Sequence, residues 1–376
     1  MPQPKKTRSA RTKRPGDRKS VTLSDVAKAA DLSLAMVSSF FSGRFYGNNP
    51  QHSIGISEKS RANIVAAARR LNYLPDNPVL RLRLYPESGD YCFLLNADVS
   101  EGIANPYFSR MVNGVLAELN DPSRQISYGQ FQTTVDYLAD TDLLPNSLRT
   151  ATASRFILAG APNYSLITAI VQRGGLCVYL SRVVPLSGVS SVVPDYAEAA
   201  KLAVRHLVDR GHRKISFGAE YYFLPADAYN KQELVRGCAE AMKEAGLAFS
   251  AEDVVYKTKA ALSPPNEILE RILKRKPRPT AVFCFDDFTA LGLMRAAMEA
   301  GLRLPQDLSV IGCNDENRMV GLRPTLSTVH LPAEEMGAMA VRELARMLKE
   351  DPAKPSAAKC MLPVQLVERE SVLRLN

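Results

Sequence analysis

Apolar side chains change rhythm along this chain, and each rhythm predicts a different architecture. Leu23, Val26, Ala27 and Ala30 recur at i, i+3, i+4 and i+7, the spacing of one helix face. Thr22 with Asp25 three residues on makes a capping-box pair that starts this helix, and Asp31–Leu32 break it. Ser33 is placed to cap a second helix. There Val37, Phe40 and Phe41 share one face while Ala35, Ser38, Ser39 and Ser42 point away, until Gly43 ends it. Residues 21–74 thus read as three short helices, followed by a basic connector, 76–89, punctuated by Pro75, Pro78 and Pro86.

From Tyr91 onward short apolar runs alternate with amphipathic segments. Strands are predicted at Tyr91–Asn96, Ile126–Phe131, Phe156–Ala159, Cys177–Leu180, Lys214–Gly218, Ala281–Phe285 and Ser309–Cys313. Helices are predicted at Pro106–Leu119, Ala197–Arg210, Lys231–Ala245, Phe288–Ala300 and Glu334–Lys349. Strands alternating with helices predict an α/β body of parallel sheets covered on both faces. A region of this length divides into two such lobes, with a ligand cleft between them.

Charge sharpens the picture. Residues 1–20 hold eight basic side chains against Asp17, and residues 21–84 eight against four acidic ones. The whole chain carries +9, so all of the positive excess lies in its first fifth. A polyanion-binding end on a near-neutral body follows, with a disordered tail over 1–20. The six cysteines are at least 29 residues apart, which gives no zinc framework and no dense disulfide scaffold. No apolar run is long enough to cross a membrane, and the start of the chain does not read as a secretory signal. A cytoplasmic chain without a membrane partner is expected.

Two short helices joined by a tight turn match a helix-turn-helix or an ordinary helical hairpin, and spacing alone leaves both open. The wording is more specific. VTLSDVAKAADLS over 21–33, MVS over 36–38, ISEKSR over 56–61 and ARRLNYLP over 68–75 resemble the headpiece of the lactose-repressor (LacI/GalR) family. The resemblance continues through NPYF (105–108), VPD (193–195), HLVDRGH (206–212), FDD (285–287), ALG (290–292), SVIG (309–312) and PTLSTV (324–329).

The family implies a bacterial transcription regulator, most commonly a repressor, working as a homodimer on a palindromic DNA operator at the nucleoid. It divides the chain into a tail (1–20), a DNA-binding domain (21–75), a hinge helix and linker (76–89) and a two-lobed body like a periplasmic binding protein (90–376). DNA contacts would come from Thr22, Ser33, Leu34, Ala35, Met36, Ser38, Ser39, Arg44, Asn72 and Tyr73. Apolar and hydroxyl side chains dominate that set, suited to thymine methyls and short hydrogen bonds. The loop Ser42–Gly55, with Arg44, Asn48, Asn49 and His52, is longer than usual for the family. By position Leu82 would be the hinge wedge that opens a base step in the minor groove, with Arg81 and Arg83 facing phosphates and Val79 replacing a smaller residue.

The effector, a small and sugar-like molecule by resemblance, would meet Tyr107, Phe108, Ser181, Lys231, Arg236, Asp286 and Asn314. Two polar positions are exchanged against the family pattern, leaving Asp286 and Asn314. An arginine of the family falls on Leu234, with Lys231 and Arg236 as the nearby cations, and a family carboxylate falls on Ser181, with Arg182 beside it. No catalytic, metal or cofactor motif stands out. His52, His206, His212 and His330 are scattered, and there is no HExxH, G-x-S-x-G or P-loop. An α/β enzyme and a stand-alone solute-binding protein are the rival readings; neither explains the basic N-terminal helices.

Overall fold

The computed structural model describes residues 21–41, 56–73, 75, 84–85, 90–99, 101–120, 126–220, 229–257, 267–316, 323–349 and 356–375. The chain forms two compact units, Met1–Tyr85 and Pro86–Asn376.

In the first unit α1 (Leu23–Ala30), α2 (Leu34–Phe41) and α3 (Glu58–Arg70) enclose a small core of Val26, Val37, Phe40, Phe41, Ile64 and Ala68. The capping box is complete. Thr22 Oγ1 accepts from the Asp25 backbone N–H at 3.3 Å, and Asp25 Oδ2 accepts from the Thr22 backbone N–H at 2.8 Å. Asp31 adopts a left-handed conformation, φ 55°, which ends α1 and turns the chain into α2. Ser33 Oγ accepts from the Met36 N–H at 3.2 Å, capping α2. Leu84 also lies in this core, and the Tyr85 hydroxyl donates to the carbonyls of Ala68 (3.2 Å) and Tyr73 (3.1 Å). The far end of the expected hinge stretch therefore folds back on the end of α3.

The body carries two six-stranded sheets, which we call lobes 1 and 2. Lobe 1 is built from β1 (Asp90–Asn96), β2 (Ile126–Phe131), β3 (Ala153–Ala159), β4 (Leu176–Leu180) and β5 (Val189–Pro194). Its helices α4 (Pro106–Leu119) and α5 (Tyr164–Gln172) come between β1 and β2 and between β3 and β4. The chain then enters lobe 2 through α6 (Tyr196–Asp209). There β6 (Ile215–Glu220), α7 (Tyr229–Glu244), β7 (Val254–Lys257), α8 (Glu267–Lys274), β8 (Ala281–Cys284), α9 (Asp287–Glu299), β9 (Ser309–Cys313) and β10 (Ser327–His330) follow. Next α10 (Ala333–Met347) returns to lobe 1 and packs on α4. β11 (Lys359–Leu362) completes sheet one, and β12 (Gln365–Val367) closes sheet two.

The strand orders are β11-β5-β4-β3-β1-β2 and β12-β10-β9-β8-β6-β7. All pairs are parallel except β12 with β10. The central strands are buried on both faces, so β1 reads as a nearly continuous apolar run rather than an alternating one, while β3 also buries Ser154 and Arg155. Glycine sets one helix crossing. A Cβ on Gly337 of α10 would sit 1.9 Å from the Met111 carbonyl oxygen of α4, and one on Gly114 of α4 would sit 1.8 Å from the Glu334 carbonyl oxygen. Only glycine lets these two backbones touch.

Candidate functional site

The carboxyl ends of β1, β3, β4, β8 and β9 open onto one cavity of about 170 Å³ between the lobes. Loops after parallel strands converge at such edges, and ligands of open α/β sheets bind there. Five of the seven expected effector residues line it: Tyr107, Phe108, Ser181, Asp286 and Asn314.

Lobe 1 builds an aromatic wall with a fixed hydroxyl. Asn105 caps α4 through its Oδ1, which accepts from the Tyr107 N–H at 3.0 Å, and Pro106 occupies the first helical position. This start places the Tyr107 and Phe108 rings 5.5 Å apart in a T-shaped pair. The Tyr107 hydroxyl lies 3.0 Å from Ser181 Oγ and 3.5 Å from the Tyr196 hydroxyl, and burial pushes it up to about 12. It stays a neutral hydroxyl. Gly160, at φ 96°, has a site where a Cβ would come 2.6 Å from that of Asn96, so the floor admits no side chain there.

Lobe 2 contributes charge. Asp286 follows β8 by two residues and caps α9, with Oδ1 accepting from the Thr289 N–H at 2.7 Å. Capping and cavity lining coexist in this one carboxylate, whose pKa is raised by burial in spite of the Thr289 bonds. Behind it Asp287 is buried. It accepts from the Thr328 hydroxyl at 2.5 Å and the Glu316 N–H at 2.7 Å, and burial pushes its carboxyl up to about 8. Gly312 makes room for it, since a Cβ there would meet Asp287 Oδ1 at 2.0 Å.

Asn314 is strained, with φ at 106°. A non-glycine residue held there costs roughly 1–3 kcal/mol, offset by its surroundings. The offset comes across the cleft: Arg110 of α4 donates from Nη1 to the carbonyls of Asn314 (3.0 Å) and Asp315 (3.3 Å). Arg110 Nε meanwhile bonds both carboxylate oxygens of Glu334, at 2.7 and 2.9 Å. Arg369 and His330 hold Asp315 from the other side, at 2.6 and 3.2 Å. One arginine on α4 thus fixes the loop that carries Asn314 and Glu316 into the cavity.

Two expected effector residues are elsewhere. Lys231 is buried on the inner face of α7, its Nζ 4.8 Å over the Tyr256 ring, and Leu234 one turn on is buried beside it in the core. Arg236 lies on the outer face of α7 and bonds Glu233 and Glu240, each at 2.6 Å. It borders a separate polar depression with Asp195, Glu198, Lys201 and Lys359. The helix period explains the miss: residues two apart on α7 face nearly opposite ways. The cavity also uses residues the sequence reading passed over, Asn96, Asp98, Glu101, Asn230, Phe288 and Glu316. They come from separate loops, and only the NPYF and FDD motifs near some of them gave a signal.

The described histidines make contacts within the fold. His212 is buried, with Nδ1 2.9 Å from Thr280 Oγ1 and Nε2 3.1 Å from the Leu373 carbonyl. Among the described residues no cluster of His, Cys, Asp and Glu could hold a metal ion, and no helix is long and apolar enough to cross a membrane.

In the first unit, α2 presents Ser33, Leu34, Ala35 and Ser38 to solvent, Leu34 at 51% exposure, while Met36 and Ser39 are half-buried at its edges. Thr22 is exposed at the start of α1. Asn72 is exposed in a left-handed turn, φ 51°, and Tyr73 packs 5.4 Å from Phe41. Arg44, His52, Val79, Arg81, Leu82 and Arg83 lie outside the described residues.

Residues 204–372 match the model of a periplasmic binding protein-like domain. The chain is 26% identical to catabolite control protein A of Priestia megaterium over 353 residues, covering 93% of this chain and 99% of that one. Its fold is similar to that of the transcriptional regulator CelR in complex with cellobiose, with a TM-score of 0.63, 23% identity, and 93% and 99% of the two chains covered. It is also similar to the lac repressor dimer bound to operator and an anti-inducer, with a TM-score of 0.59, 22% identity, and 94% and 100% covered.

Proposed function

The chain belongs to the LacI/GalR family, and from that premise we propose that it is a DNA-binding transcriptional repressor whose grip on its operator is set by a small molecule in the interlobe cavity. It is a regulator and not an enzyme. We assign residues 21–75 to DNA binding, 76–89 to the hinge and 90–376 to effector binding and dimerisation, in a cytoplasmic protein that works on the nucleoid.

The observation that carries this reading is the pairing of two parts in one chain. One is a capped helix whose exposed face holds only Ser33, Leu34, Ala35 and Ser38; the other is a two-lobed body with a lined cavity at its strand ends. Small side chains let α2 sit deep in a major groove, where Leu34 and Ala35 suit thymine methyls and the serines reach base edges. Thr22, Met36, Ser39, Asn72, Tyr73 and Arg44 complete the proposed DNA-facing set, with Val79, Arg81 and Leu82 acting from the hinge. The many cations of residues 1–84 supply phosphate contacts and counterion release. Control follows from linkage. An effector that prefers one arrangement of the lobes shifts the population toward it and changes DNA affinity by the same coupling energy. The cellobiose bound by a similar regulator supports a sugar-like effector, and the operator-bound dimer supports a palindromic site.

The test is a footprint of the purified chain on genomic fragments at two salt concentrations. A dimer should protect two mirrored half-sites, with affinity falling steeply as salt rises. Protection of a single unrepeated element, or no discrete complex, would refute the reading.

A further inference from the structure

We propose that the effector is a polyhydroxy acid, such as a sugar acid, whose carboxylate is bound by the guanidinium of Arg182. The inference rests on the reading of the cavity as the effector site and specifies the chemistry of that site. Arg182 is the one cationic side chain among the described lining residues, and it is buried to 9% exposure. Among the described residues it makes no hydrogen bond and no ion pair, so its donors are left for whatever fills the cavity. A charged group taken out of water without a partner is costly, and a molecule in the cavity is the partner that remains.

The turn that carries Arg182 is built to present it. β4 ends at Leu180, and Ser181 then takes a left-handed conformation, φ 65°. Successive side chains of an extended strand face opposite ways. The reversal at Ser181 lets it and Arg182 line the same cavity. A non-glycine residue persists in that conformation only where its surroundings over-determine it, and such residues gather at ligand sites. Here the Ser181 N–H donates to the Val192 carbonyl at 2.9 Å and the Val184 N–H donates to Ser191 Oγ at 3.1 Å. The backbone is thus pinned on both sides of Arg182. Ser181 Oγ lies 3.0 Å from the Tyr107 hydroxyl, so the residue beside the arginine brings a neutral group and not a counter-charge.

The planar fork of a guanidinium matches a carboxylate through two parallel bonds. No described carboxylate of the lining lies within ion-pairing distance of Arg182. Asp98 accepts from the Thr133 hydroxyl at 3.2 Å, Glu316 from Asn314 Nδ2 at 3.4 Å, and Glu101 is engaged within the protein. Asp286 belongs to lobe 2, whereas Arg182 belongs to lobe 1. An ionised carboxylate only accepts and an amide both donates and accepts, so Asp286 and Asn314 suit hydroxyl groups. Charge then sets the orientation: the acid end of the ligand lies at lobe 1 and its hydroxylated end at lobe 2. Cyclic uronates and open-chain aldonates share this chemistry, and the assay separates them.

The experiment measures binding to the full chain by calorimetry at pH 7 and low salt, using matched probes. D-Glucuronate is set against D-glucose, D-gluconate against sorbitol, and glucose 6-phosphate serves as the other anion. At least one acid should bind roughly ten- to hundred-fold more tightly than its neutral partner, the range for a hydrogen bond gained to a charged group. A preference for glucuronate identifies a cyclic acid, and one for gluconate an open chain. Arg182→Met should erase the preference and melt at or above the parent, because it removes a buried charge that has no partner in the empty protein. Arg182→Lys keeps the charge without the fork and should retain part of the preference. The proposal is overturned if a neutral probe or the phosphate binds as tightly as the acids, if neither acid binds, or if Arg182→Met keeps the preference. It is equally overturned if Arg182→Met melts well below the parent, which would make the arginine a structural one. Release of DNA by a neutral sugar alone would overturn it while leaving the repressor reading intact. A missing DNA complex would defeat that reading without touching the preference for an acid.

Discussion

Replacing Gly337 by alanine is expected to destabilise the body and loosen its effector site, although alanine is the better helix former. A Cβ at this position would lie 1.9 Å from the Met111 carbonyl oxygen and 2.9 Å from the Val115 nitrogen. Ordinary contact begins at 3.4 Å, so α10 and α4 must part by about 1.5 Å. Overpacking of this kind costs about 1–3 kcal/mol, and the helical preference of alanine over glycine returns about 0.5–1 kcal/mol. A net loss of about 1–2 kcal/mol follows. Gly292, on α9, is the internal control, because a Cβ there meets nothing within 4 Å. Gly292→Ala should be neutral or stabilising by up to about 1 kcal/mol. Parting the helices also stretches the Arg110 bonds to the Asn314 and Asp315 carbonyls, now 3.0 and 3.3 Å, so effector affinity should fall in the Gly337 variant alone. Urea unfolding followed by circular dichroism reads the stability, and calorimetry reads the affinity. Equal midpoints for the two alanine variants would refute the argument that backbone contact fixes this crossing.

Stability should also fall with rising pH because of Asp287. Burial pushes its carboxyl up to about 8, so the folded chain keeps a proton that the unfolded chain releases above the ordinary carboxylate range. Protons bound in excess by the native state make stability decline from about pH 4 to pH 8 and level off above. Asp287→Asn should flatten that slope in urea midpoints compared at pH 5 and pH 8; an unchanged slope would assign it to other groups. Ser33→Ala removes the cap of α2 and should cost the N-terminal unit about 1 kcal/mol. Thermal melts should show its transition shifting while the body's stays in place, and a shift in the body instead would count against a local cap.

Sequence reading was strongest where a segment carries its own reason for folding. The Thr22–Asp25 pair, Ser33 and the spacing of Val37, Phe40 and Phe41 dictate α1 and α2 locally, and Asn105–Pro106 dictates the start of α4. Other strands were legible too, with Ile126–Phe131 and Ser309–Cys313 found to the residue. The missed strands hide polar residues that tertiary partners satisfy. β5 buries Ser190, which donates to Glu343 at 2.6 Å, and Ser191, which accepts from the Val184 N–H. β10 buries Thr328 against Asp287. Nothing nearby in sequence announces those partners. The same applies to the site: Tyr107, Phe108, Ser181, Asp286 and Asn314 followed from resemblance, whereas Asp98 and Glu316 become legible only once two lobes are brought together.

The return of the chain to lobe 1 bears on how the protein is made. Ala358 donates its N–H to Ser190 across 168 residues of sequence, and β11 pairs in register with β5 beside it. During synthesis sheet one therefore stays open at that edge until almost the whole of lobe 2 has left the ribosome. The N-terminal unit ends at Tyr85 and draws its core from residues no later than that, so it is free to fold first. Domains fold as units from the N-terminus during translation, and pairings of high sequence separation come late. Each nascent chain thus has its N-terminal unit assembled before the two-lobed body that follows it. That interval is the time needed to translate nearly three hundred further residues, and it ends only when β11 closes against β5.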